Sequence, residues 1–319
     1  MTTLVSTFTF LTPRRGGLIT VIGLMVILAI FGVIVSDRFS TVSNATNIAE
    51  QSTALALVSL GQTLVIITGG IDLSIGSLVS LCSVLLSGIT AGSTAMMWVA
   101  IVLVLLLGIA VGLINAGTTV WLGVHPLIVT LGMGAVLQGV TLLYTQAPIG
   151  KMPTGFGYLA YGRFLGIPVG ALFTVLLFAA TAWFLHKVPF GRYIYAVGDD
   201  AAGAQLMGLP RKAVLLFVYA FCGLTAAIAA IFLVARLGVG QPYTGQNFTL
   251  TSITPVVVGG TLLSGGRGGV IGTLLGVYLV SLLNNLLNFL DLSTHYQLIV
   301  QGLIVIIAVS VYVENKRKV

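Results

Sequence analysis

The sequence predicts an all-α integral membrane protein with about ten transmembrane helices, and three observations predict it. Of its 319 residues 57% are hydrophobic and only 7% charged, against about a quarter charged in a soluble domain. The mean hydropathy is +1.12. Apolar runs close to the ~20 residues that cross a bilayer recur along the whole chain. Strands are a poor alternative, because a run such as 101–107 is apolar on every face whereas barrel strands alternate. The two cysteines, Cys82 and Cys222, stand far apart at no metal or redox spacing, which excludes a disulfide-stapled fold and a zinc module.

Spans are expected at 18–35, 51–68, 73–91, 95–119, 126–145, 168–186, 213–234, 250–264, 268–289 and 296–313. The first follows Arg14 and Arg15. Its run exceeds the roughly 7–15 residues of a signal core and Ser36-Asp37-Arg38-Phe39 offers no small-x-small cleavage site, so an uncleaved helix is expected. The second and third meet at Gly69-Gly70 and, with the eighth, carry the weakest apolar signal. The fourth holds the 101–107 run, and the fifth and sixth flank a Pro- and Gly-rich loop. A cationic hinge with His186, Lys187, Arg192, Arg211 and Lys212 separates the sixth from the seventh. The ninth presents Gly268, Gly272 and Gly276 on one face, where a neighbouring backbone can approach closely. Lys316, Arg317 and Lys318 follow the tenth.

The 14 Lys and Arg against 7 Asp and Glu read as orientation signals, since loop cations mark the cytoplasmic side. No basic stripe with interleaved aromatics supports nucleic-acid binding. Both termini and the hinge are therefore expected in the cytoplasm. That assignment needs an even number of spans overall and before the hinge, and the segmentation supplies both. One transmembrane domain over 1–319 is expected, with cytoplasmic tails at 1–17 and 314–319 and a cytoplasmic loop at 187–212. The opposite side carries the loops around Asp37-Arg38, 146–167, 235–249 and Asp291.

Two stretches look alike: Thr63–Gly76 and Thr254–Gly266 both run from an apolar stretch through Gly-Gly into a polar turn. Internal pseudo-symmetry is one reading. The other is that helix junctions in membranes collect glycine. Uncharged polar side chains deep in the spans are candidates for a translocation path, because each needs a partner where bulk water is absent. They are Gln62, Asn115, Gln138, Asn284, Asn288, Gln297 and Gln301. The pairs Asn284/Asn288 and Gln297/Gln301 are spaced i,i+4 on one helix face, which suits a hydroxyl-rich solute. Helix-to-helix hydrogen bonding is the competing use. Asp72 is flanked on both sides by apolar runs. As a buried carboxylate it is a candidate proton or ion site, but it stands two residues before Ser74, where it can cap free N–H groups at the next helix start.

A catalytic reading fails on inventory. His125, His186 and His295 fall in different junctions, and the chain has no H-E-x-x-H, G-x-S-x-G or G-x-x-x-x-G-K-[ST] motif. Neither a metal nor another cofactor is expected, and nothing in the chain can hydrolyse ATP unaided. The central stretch from Tyr193 to Lys212 is too polar to span. One short helix is expected between Gly198 and Gly208, started by Asp199 and Asp200 and stopped by Gly208 and Pro210.

Five blocks resemble the permease subunits of bacterial ABC importers for monosaccharides, the ribose-permease type. They are Gly69–Ser77, Pro126–Gly132, Gly191–Gly198 with Leu206-Met207-Gly208, Ala235-Arg236-Leu237 with Gln241-Pro242, and Gly259–Gly266, in the family's order over nearly the whole chain. The resemblance implies a membrane-spanning permease of an ATP-driven, binding-protein-dependent sugar importer in the inner membrane of a bacterial cell. It implies as partners a cytoplasmic ATPase, a periplasmic sugar-binding protein and a second permease, identical or paralogous. The hinge then becomes the ATPase-coupling element, with Gly191, Arg192, Gly198, Ala201, Leu206, Met207, Gly208 and Arg211 as its residues. Arg236 and Gln241 become candidates for docking the binding protein, and Gln62, Asp72, Ser74, Asn115, Gln138, Asn284 and Asn288 for the path. Thr249 and Thr251 stand where the family usually has acids, and Pro255 where a small residue is expected, so pentose, hexose and furanose solutes all stay open. The alternative is an ion-gradient-driven secondary transporter using Asp72.

Overall fold

The computed structural model describes residues 13–293, 295–297, 299–300, 302–304 and 306. Its helices are α1 (Pro13–Val35), α2 (Val42–Ile67), α3 (Ile75–Thr90), α4 (Thr94–Trp121), α5 (Pro126–Tyr144), the single turn α6 (Tyr158–Tyr161), α7 (Val169–Lys187), α8 (Pro189–Asp199), α9 (Ala201–Leu206), α10 (Arg211–Leu237), α11 (Phe248–Thr251), α12 (Ile253–Val258) and α13 (Val270–Phe289). A two-residue hairpin, β1 (Arg163–Phe164) with β2 (Ile167–Pro168), is the one sheet among the described residues.

The chain is thus a helical membrane protein; the described residues do not confirm the count of about ten spans. Among the described residues six helices, α2, α4, α5, α7, α10 and α13, are long and apolar enough to cross a membrane. The apolar part of α1 is Ile19–Val35, and α3 has 16 residues. The span expected at 250–264 is two short helices, α11 and α12, preceded by a run of turns over 242–247 and ended at Gly259-Gly260. Pro255 inside α12 brings no N–H to a helical ladder. Most of the tenth expected span, 296–313, and the tails 1–12 and 314–319 lie outside the described residues.

Burial separates a centre from a rim. Every residue from Ser52 to Ile67 on α2 is buried, which an all-round apolar helix requires. α10 packs on α2, α3 and α4 beside it. Around this centre, α5 buries only Thr130, Gly134, Leu137 and Thr141, a single i, i+4, i+7, i+11 stripe, and leaves Ile128, Leu131, Val136 and Leu143 exposed. Backbones touch through reciprocal glycine pairs: a Cβ on Gly108 would strike the Gly223 carbonyl and one on Gly223 the Gly108 carbonyl, and Gly259/Gly272 and Gly76/Gly245 behave alike.

The loops fall into two groups. At one end Phe39 meets Phe289 edge-on at 5.7 Å, Gly92 N–H donates to the Lys151 carbonyl at 2.7 Å, and Ile149 bridges to Gly240. At the other end Gly266 N–H donates to the Ile67 carbonyl at 2.9 Å and the Tyr195 hydroxyl to the Gly268 carbonyl at 3.3 Å.

Candidate functional site

A cavity of about 200 Å3 opens between α2, α11 and α13, lined by Gln51, Asn247, Thr251, Ser281, Asn284, Asn285 and Gln297 with Ile48, Leu55 and Phe248. α2 contributes Ile48, Gln51 and Leu55 at helical spacing, while Ser281, Asn284 and Asn285 come from one face of α13. Amides and hydroxyls with no ionised group can donate to and accept from hydroxyls, and the space is several times the ~30 Å3 of a water. Asn288 lies at its edge, accepting from the Gln297 amide at 2.7 Å. The i,i+4 partner of Gln297, Gln301, is outside the described residues.

The other path candidates do not join this cavity. Gln138 donates to the Pro242 carbonyl at 3.2 Å and so holds the first of the turns that follow α10. Gln62 is fully buried on α2, and neither amide atom has a hydrogen-bond partner among the described residues. Asp72, Ser74 and Asn115 form a separate buried cluster. The Asp72 carboxylate accepts from Ser74 N–H at 2.9 Å and from the Ser74 hydroxyl at 2.6 Å, and the Asn115 amide donates to that hydroxyl at 2.9 Å. Asp72 therefore closes an Asx turn before α3, holding the residue that precedes the helix rather than its first-turn amides.

The central stretch differs from the single helix expected between Gly198 and Gly208. α8 runs through Gly198 to Asp199, and α9 starts afresh because the Asp200 carboxylate accepts from Ala202 and Gly203 N–H, both at 3.0 Å. Asp200 is the N-cap, not Asp199. Gly208, at φ +77°, ends α9. Gly191 fits the α7–α8 corner, where a Cβ would strike the Phe184 carbonyl, and Phe190 packs edge-on to Phe217 of α10 at 5.3 Å. A Cβ on Gly198 would strike the Ile67 carbonyl and the Gly266 nitrogen. α8 thus rests on both glycine-rich junctions at once. Its outer face carries exposed Arg192, Ala201 opens α9, Leu206 and Met207 at the end of α9 are 89% and 73% exposed, and exposed Arg211 opens α10.

At the opposite end, the Arg236 carbonyl accepts from the Tyr161 hydroxyl at 3.0 Å. The Gln241 backbone is tied to Ser83 of α3, its carbonyl at 3.1 Å and its N–H at 3.3 Å. Sequence reading missed Gln51, Asn247 and Asn285 of the cavity lining. It also missed the reciprocal pair of Asn44 and Asn285, whose amides donate to one another's oxygens at 3.1 and 2.9 Å. The spacing of Asn44, Ile48, Gln51 and Leu55 along one α2 face was the available signal. Among the described residues no three His, Cys, Asp or Glu side chains converge as a metal site.

Residues 44–309 match the family model described as branched-chain amino acid transport system / permease component. The chain is 38% identical over 304 residues to the ribose import permease protein RbsC of Escherichia coli K12, covering 94% of each. It is 40% identical over 290 residues to the ribose import permease protein RbsC of Bacillus subtilis 168, covering 89% of this chain and 88% of that one. To the D-allose transport system permease protein AlsC of Escherichia coli K12 it is 34% identical over 292 residues, covering 90% and 88%. No solved structure matches the chain.

Proposed function

This chain belongs to the permease component family of branched-chain amino acid transport systems, and from that premise we propose that it is the membrane-spanning permease of an ATP-driven, binding-protein-dependent sugar importer. The relatives named for ribose and D-allose support a sugar, and an uncharged amide and hydroxyl lining suits a neutral, hydroxyl-rich solute. The observation that carries the coupling half of the reading is the seat of Gly198 against both glycine junctions. Residues 187–212 act as the coupling element: a cytoplasmic ATPase grips exposed Leu206 and Met207, and motion of α8 moves both junctions together. ATP is bound by that partner, no bond in the solute changes, and the termini lie in the cytoplasm of the bacterial inner membrane. Arg236 and Gln241 belong to the end that meets the sugar-binding protein, and a second permease copy or paralogue completes the pore. The bonds from Ser74 to Asp72 favour a structural carboxylate over the proton site that gradient-driven transport would need.

Affinity purification of the tagged chain from mild-detergent membrane extracts, followed by mass spectrometry, tests this. An ATPase with two phosphate loops is expected to co-purify and to be lost from the Leu206→Asp, Met207→Asp double variant. Sugar transport by the reconstituted chain without any ATPase would sink the reading. In uptake assays on the assembled importer, Asn284→Ala is expected to raise KM about fivefold, since one hydrogen bond contributes about 1 kcal/mol. An unchanged KM would remove the cavity from the path.

A further inference from the structure

The loop 145–168 carries a feature that the transport reading leaves unused. Its hairpin turns at Leu165 and Gly166, both at positive φ, +51° and +83°. This is the mirror-image turn that matches strand twist. Leu165 is 88% exposed, and Phe164, Ile167, Tyr158 and Tyr161 are each more than half exposed, a concentration of apolar surface that water alone would not favour. The hairpin is held in place from its polar side. Arg163 reaches Glu50 at 3.8 Å and Thr46 at 3.4 Å on α2, Tyr161 bonds the Arg236 carbonyl, and Val169 N–H donates to the Gly162 carbonyl at 2.9 Å. The apolar tip is left facing away from the bundle.

We infer that this hairpin is an interfacial anchor whose tip enters the headgroup and acyl boundary of the lipid bilayer. Three observations select lipid as the occupant. The hairpin runs directly into α7, whose exposed Phe173, Val175 and Leu176 continue the apolar surface into the span. Tyrosines beside an apolar tip are the composition of a membrane-interface belt, and the exposed Tyr158 and Tyr161 rings stand here with their hydroxyls satisfied by the Arg163 and Arg236 carbonyls. Residues 145–168 contain no carboxylate to oppose lipid phosphate, and Lys151 adds an exposed cation. Burial is expected to reach ~5–10 Å into the headgroup and acyl boundary.

The test is collision accessibility of a nitroxide on Leu165→Cys in the full chain reconstituted into lipid nanodiscs. Cys82 and Cys222 are buried and do not compete for label. Leu176→Cys on α7 is the lipid reference and Gln205→Cys on α9 the water reference. At 165 collision with oxygen is expected to exceed collision with a water-soluble nickel chelate, as at 176, with the order reversed at 205. A ratio at 165 like that at 205 overturns the anchor and makes a soluble protein the occupant. The readout needs neither ATPase nor sugar, so it stands apart from the transport reading.

Discussion

The two glycine-rich junctions end their helices in the same way and then diverge. After α2, Gly69 N–H donates to the Ile66 carbonyl at 2.9 Å and Gly70 N–H to the Val65 carbonyl at 3.1 Å, with Gly69 at φ +80°. After α12, Gly260 N–H donates to Val257 at 2.9 Å and Thr261 N–H to Val256 at 3.1 Å, with Gly260 at φ +91°. Both are Schellman closures, in which a left-handed residue turns two N–H groups back onto the last helical carbonyls. Beyond the closure, side chains decide. The first junction is short, and Asp72 organises it around Ser74. The second folds back on itself through Leu262 N–H to the Arg267 carbonyl and Gly269 N–H to the Thr261 hydroxyl, although both α3 and α13 then begin without a side-chain cap. Likeness in the glycines therefore reports a shared helix stop, not a shared structure after it.

Substitutions can break or sharpen that comparison. Gly198→Ala is expected to have the largest effect, about 3 kcal/mol, because its Cβ meets backbone from both junctions. Thermal unfolding in detergent should fall by several degrees and uptake should be lost. Asp72→Ala should cost about 2 kcal/mol by leaving the Ser74 N–H and hydroxyl without their acceptor, while Asp72→Asn keeps an acceptor oxygen and most of the uptake. Loss of uptake in Asp72→Asn with stability intact would return the carboxylate to a proton-carrying role. Gly69→Ala and Gly260→Ala should each cost about 1 kcal/mol, since both place a side chain in left-handed backbone. Unequal melting shifts would show that the two closures are not equivalent. Gly269→Ala should change stability by under about 0.5 kcal/mol, because its φ is 172° and the nearest atom to a new Cβ is 3.8 Å away.

Much of the architecture was legible because hydrophobic length is a local property. α4, α5, α7, α10 and α13 begin and end within a few residues of the apolar runs that announce them. What stayed illegible depends on partners distant in sequence. The chain after α10 lies along α3, with Gly240 against Ser83 and Gly245 against Ser80, and no periodicity marks a run of turns that glycines let approach a helix. Asn284 was visible as a polar residue in a span. That Gln51 and Asn247 face the same space follows only once α2, α11 and α13 are assembled. The two-helix hinge turned on which of two adjacent aspartates caps, and Asp200 won because α8 could run on through Gly198.

The reciprocal glycine pairs constrain what sequence change this bundle can absorb. Where each partner's missing Cβ is the other's carbonyl space, as for Gly108 with Gly223 and Gly259 with Gly272, a substitution on one side cannot be compensated by shrinking a side chain on the other. No smaller residue exists. Such a contact offers drift no stepwise route between two filled states, so adaptation to a new solute or a new lipid has to proceed elsewhere, through the side chains that line the cavity and the lipid-facing rim.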